Sequence, residues 1–190
     1  LPDVTDELID RFCKNIYNLT VLSTNTISEE RAALNRDTIN EGIMDLHEDP
    51  RQTPILWYLA LKAADKFYTK TNRYPGQGEV GDSVDNIQRD AESVWLELQA
   101  LAAAGDEESG EDAMAEEENG WAPPNLKNLI SKDHALEITR VGACEIHNIA
   151  ALIGGIASQE IVKILTKQYV PMNNTYIYNG VAGVGATYEL

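Results

Sequence analysis

The chain has 190 residues, enough for one domain of ordinary size with a buried core. Its 15 basic and 31 acidic residues give a formal charge of −16, which argues against nucleic acid or an anionic membrane as the main partner, since both would repel it. Two cysteines, Cys13 and Cys144, cannot build a disulfide framework and fit a reducing, intracellular compartment.

Val4, Leu8, Ile9, Phe12, Cys13, Ile16 and Tyr17 recur at three- and four-residue steps, which predicts an amphipathic helix from Asp3 to about Leu19 with Cys13 on or beside its buried face. The stretch "LTVLS" then suggests a strand, Ser28 to Leu34 a helix, and "DTINEGIMDLHEDP" a short helix ended before Pro50. Thr53 as N-cap with Pro54 at the first helical position opens "ILWYLALKAADKFYTKT", which carries a wide apolar stripe and ends at "NRYPG". A further helix runs from about Ser83 or Asp85 through Val94, Trp95 and Leu98 and stops at Gly105. Residues 1–104 therefore form a mostly helical subdomain.

Asp106, Glu107, Glu108, Glu111, Asp112, Glu116, Glu117 and Glu118 crowd one tract that holds no base, and removing these eight acids leaves −8 on the rest of the chain. Such a composition cannot bury enough apolar area to offset chain entropy, so 105–128 is expected to be an acidic, disordered linker. Beyond it "HALEITRVG" predicts a short helix and Glu145 to Lys167 a long one. "NTYIYNG" and "ATYEL" switch to strand character around the glycine-rich "GVAGVG".

The chemical motifs are weak. "GQGEVG" has the spacing of a dinucleotide fingerprint at Gly76, Gly78 and Gly81, but a helix and a Tyr-Pro turn precede it, and Glu79 and Asp82 would repel phosphate. Cys144, His147 and His134 fall short of the four ligands of a structural zinc site. No acid pair, serine elbow or activated thiol stands out, so no catalytic, cofactor or metal residue is assigned. Asn18 and Asn173 match the glycosylation pattern by chance, and the start at Leu1 suggests a fragment.

The long helix is more informative. At 100° per residue Ala151, Gly154, Gly155, Ser158, Val162 and Leu165 share one face, while Ile149, Ile153, Ile156 and Ile164 share the opposite one. A helix apolar or small all round needs cover on both sides, here a sheet on one and another helix or chain on the other. Ser158, Gln159, Glu160 and Lys163 within it argue against a membrane span.

The segment "RVGACEIHNIAALIGGIASQEIVKILTKQYVPMNNTYIYNGVAGVGATYEL" resembles the C-terminal end of the activating enzymes for ubiquitin-like modifiers, where a glycine-containing helix with "xQEIxKIxT" precedes "NNxYxY" and a closing strand. Within that superfamily the likeness is to the regulatory subunits of the neddylation type, and "RYPG" after a Leu- and Ala-rich helix extends it. The resemblance implies an α/β class: residues 129–190 as the C-terminal part of a Rossmann-like adenylation fold, preceded by the end of a helical insertion. It further implies a non-catalytic, scaffolding role in a heterodimer, cytoplasmic or nuclear. ATP and Mg, adenylation and thioester formation belong to the catalytic partner subunit, and the modifier is met through the complex. Ala151, Ile153, Gly154, Gly155, Ser158, Gln159 and Glu160 become candidates for the subunit interface. Two rival readings are an adenylating enzyme akin to the bacterial sulfur-carrier activators and an unrelated helical adaptor.

Overall fold

A computed structural model describes residues 4–18, 26–32, 34–44, 49–77, 84–103, 125–142 and 144–190. The "LTVLS" segment and the acidic tract lie outside the described residues.

Helix α1 (Asp6–Asn15) starts where the Thr5 hydroxyl accepts the Leu8 N–H. Its apolar side is uncovered: Leu8, Ile9 and Phe12 are about half exposed and Cys13 is exposed, a correction to the buried face expected for that thiol. The periodicity was real, yet periodicity says which residues share a face and not whether anything packs there. Helices α2 (Ile27–Ala32) and α3 (Arg36–Met44) follow.

Helix α4 (Pro54–Thr71) is the centre of the molecule. Thr53 and Pro54 open it as expected, although the Thr53 hydroxyl is buried and caps nothing. Ile55, Leu56, Leu59 and Ala63 are fully buried because α5 (Val84–Ala103), α7 (Lys132–Val141) and the C-terminal strands surround α4. Each of the larger side chains is worth about 2–3 kcal/mol of apolar burial, so the contacts of α5 with both α4 and α7, with Val94 and Leu98 in the shared core, supply much of the cohesion of this body. Asn72 ends α4 in the left-handed conformation at φ 54°, with its N–H on the Tyr68 carbonyl.

A four-residue helix α6 (Leu126–Leu129) precedes α7, capped by the Asn125 carboxamide oxygen that accepts the Lys127 N–H. It is too short for a periodic signal and was not expected. Helix α8 (His147–Thr166) leads to β1 (Thr175–Asn179) and β2 (Val184–Tyr188), an antiparallel pair with Ile177 opposite Ala186. The described structure is therefore mostly helical with one small two-stranded sheet.

That hairpin is tied to distant sequence. Ile177 and Leu190 enter the same core as α4 and α5, and Tyr188 packs on Gly42. The Thr38 hydroxyl and the Asn35 amide both donate to the Glu189 carbonyl, at 2.6 and 3.1 Å, and the Asn179 amide donates to the Arg51 carbonyl at 2.8 Å. These bonds hold the C-terminal strands on α3 and the start of α4, and so fix where α8 emerges.

Candidate interface helix

Helix α8 has 20 residues, roughly 30 Å at 1.5 Å per residue. Ile149, Ile153, Ile156, Glu160 and Lys163 are half-buried, and their steps of four, three, four and three trace one stripe. At two points this stripe meets the C-terminal segment, on either side of β1. The Ile149 side chain sits against Gly180, so closely that a Cβ there would lie 2.7 Å from Ile149 Cδ1. One and a half turns from the far end, the Glu160 carboxylate accepts the Met172 backbone N–H at 2.7 Å and pairs with Lys163 at 2.6 Å. The Lys163 ion pair and the Met172 N–H hold the Glu160 carboxyl below its ordinary range.

The other side of α8 is open. Ala151, Gly154, Gly155, Ser158 and Gln159 are exposed, and Val162 and Leu165 are 51% and 76% exposed. A Cβ at Gly154 or Gly155 would meet nothing among the described residues within 4 Å. Since a helical glycine costs about 1 kcal/mol relative to alanine, two adjacent ones with no close neighbour weaken α8 for no benefit within the described residues. Ser158 turns its hydroxyl back to the Gly154 carbonyl at 2.7 Å and so presents little polarity outward. The candidate set thus divides: Ile153 and Glu160 belong to the stripe that joins α8 to its own chain, and the remaining five lie on open surface. By length and composition alone α8 is also long and apolar enough to cross a membrane, with a mean hydropathy of 1.5.

The roles of Ile149, Ile156 and Met172 in seating α8 were not singled out by sequence. Isoleucine spacing marked the first two as one face, and a glutamate three residues before a lysine marked the ion pair, but nothing local points from Glu160 to Met172.

The other motifs resolve into packing. Gly76 has φ +77°, and a Cβ there would lie 2.0 Å from the Thr139 carbonyl oxygen, so this glycine lets the turn after α4 touch α7. Gly78 and Gly81 lie outside the described residues. Gly183 takes φ +70° in the β1–β2 turn, and Gly185 lies under the Tyr176 ring. Cys144 and His147 are exposed and His134 is buried, and no group of three or more metal-ligating side chains occurs among the described residues. An open groove of about 610 Å³ is lined by Asp49, Arg51, Trp57, Asp133, Glu137 and Val181, among others. Its charges are matched locally: Arg51 lies 3.0 Å from Asp49 and 3.9 Å from Asp133, and Glu137 pairs with Arg140 at 2.5 Å.

No known protein-family profile matches the chain. Individual curated relatives do. The chain is 30% identical over 189 residues to the NEDD8-activating enzyme E1 regulatory subunit of Danio rerio, a match that covers 98% of this chain and 30% of that protein. Identity to the protein of the same name from Gallus gallus is 32% over 187 residues, with 98% and 30% covered. The NEDD8-activating enzyme E1 regulatory subunit AXR1 of Arabidopsis thaliana is 31% identical over 175 residues, with 91% and 27% covered. The chain therefore spans about 30% of the length of the relatives it matches.

Proposed function

From the premise that this chain belongs to the NEDD8-activating enzyme E1 regulatory subunits, matched along 98% of its length, we propose that it is the C-terminal portion of a non-catalytic scaffold. Its partner is the catalytic subunit of a heterodimer, which binds ATP and Mg and carries out adenylation and thioester formation. The ubiquitin-like modifier is met through that complex. In this reading residues 129–190 form the back of a Rossmann-like adenylation fold, whose parallel sheet is supplied by sequence outside this chain, and the protein works in the cytoplasm or nucleus.

The observation that carries the proposal is the open face of α8. An apolar, glycine-containing surface flanked by Val162 and Leu165 is costly to leave in water and suits close approach of another protein backbone. The formal charge of −16 favours a protein over an anionic bilayer as the covering surface, despite the length of α8. Ile149 is seated against Gly180 and Glu160 holds the Met172 N–H, whereas the glycine face has no neighbour within 4 Å among the described residues, which supports it as the face for the partner.

Co-expression of the full chain with the catalytic subunit, followed by a modifier-thioester assay, tests the reading. A stable complex in which loading depends on both subunits is expected. Failure to co-purify, or full loading by this chain alone, overturns it.

A further inference from the structure

His134 is the third residue of α7 and is fully buried. Its Nδ1 accepts the Ser131 backbone N–H at 3.2 Å and lies 3.1 Å from the Ser131 hydroxyl. It thereby takes the place that glutamate or glutamine fills in an ordinary capping box. The substitution matters chemically. Nδ1 can accept only while it has a lone pair, so the cap requires a neutral ring with its hydrogen on Nε2. Nε2 is itself buried and, among the described residues, finds no hydrogen-bond partner of good geometry.

The ring is wedged between α7 and α4, with its centroid 4.8 Å from that of Trp57 at a tilt of 53°. Two carboxylates act on it, Asp49 before the turn that leads into α4 and Asp133 on α7, and both are paired with Arg51 of that turn. Helix α4 contributes the apolar Trp57. Burial disfavours the imidazolium and lowers the His134 pKa from its ordinary 6.5, while the Pro50 backbone and the Asp133 and Asp49 carboxylates oppose that shift without cancelling it.

We propose that His134 is an acid-sensitive latch on the first turn of α7. Protonation at Nδ1 removes the lone pair that receives the Ser131 N–H, sets two donors facing one another, and places a charge against Trp57. The start of α7 then separates from α4. Trp57 and Asp133 both line the open groove, so its wall loosens in the same event.

The test is a pH titration of the imidazole ring resonances in the full chain, with amide exchange followed in parallel. We expect a His134 midpoint below 6.5. Protection of the Ser131, His134 and Ala135 amides should fall relative to α5, about tenfold for each pKa unit by which the ring is depressed. A His134→Gln variant keeps an acceptor that cannot titrate and should abolish that loss. A midpoint at or above 6.5, or the same loss in the glutamine variant, overturns the proposal. If the variant fails to fold, the wild-type data decide: loss of protection must track the His134 midpoint, and loss at an unrelated pH overturns it.

Discussion

The guanidinium of Arg73 grips the carboxylate of Asp90 with both arms, Nη1 to Oδ2 at 2.5 Å and Nη2 to Oδ1 at 2.7 Å, and thereby clamps the turn after α4 onto α5. The Gly76 N–H adds a third bond to Asp90 at 3.1 Å, and Arg73 lies over the Phe67 ring at 5.1 Å. Asp90 is 5% exposed at its side chain, so removing its charge leaves Arg73 and the Gly76 N–H short of an acceptor. Asp90→Asn should therefore cost about 3 kcal/mol in urea denaturation at neutral pH. Burial alone would raise the Asp90 pKa, but the bonds from Arg73 and Gly76 and the charges of Arg73 and Arg89 outweigh it and lower the value from its ordinary 3.8. Because the folded value is the lower one, this stabilisation is complete above about pH 3.8 and disappears as pH falls through the depressed value. The wild type should lose its advantage over Asp90→Asn in that acid range, and a difference independent of pH would contradict the assignment.

Two glycines make opposite predictions. Gly76→Ala combines a positive φ with a Cβ 2.0 Å from the Thr139 carbonyl, and should destabilise the fold by about 3 kcal/mol or more. Gly154→Ala adds a methyl in open space on a helix and should raise the melting temperature, since alanine favours helix by about 1 kcal/mol. Thermal denaturation of the two variants beside wild type checks both signs.

The contrast shows what could be read from the chain. Local signals worked: the Thr53–Pro54 start, the two faces of α8 and the hairpin around Gly180 to Gly183 all lie close to where residue spacing placed them. What spacing could not supply was the partner of each face. Cys13 lies on the apolar side of α1, but no described element covers that side. Helix α6 escaped because four residues hold scarcely one turn. The bond from Thr38 to Glu189 joins residues 151 apart, and Glu160 reaches Met172 only because the chain reverses after Lys167, which takes φ 55°. Such contacts are products of the fold and have no periodic trace. The division of the interface candidates into an engaged stripe and an open face was visible in outline. Which side stayed open was not.

The Glu160 anchor should be separable from the open face. Glu160→Gln loses the ion pair to Lys163 and weakens the bond from Met172 N–H, so amide exchange at Met172 should quicken while α4 and α5 keep their protection. Acid should mimic the substitution. The Glu160 carboxyl is held below its ordinary 4.5, so the anchor is intact above that pH and is lost as pH falls through the lowered value. Unchanged exchange at Met172 in the variant would show that Glu160 does not tether α8 to the segment leading into β1.

The central claim is that the glycine face of α8 receives the catalytic subunit. The most direct measurement is the dissociation constant of the full chain for that subunit with a tryptophan at position 154, Gly154→Trp, determined beside the variant's melting curve. The account predicts affinity weaker by about 100-fold, near 2.7 kcal/mol, with a melting transition close to wild type, because nothing in the described chain lies within 4 Å of that position. Wild-type affinity in the folded variant would contradict it, and so would unfolding of the unbound variant, which would mean that this face is already covered by the protein's own chain.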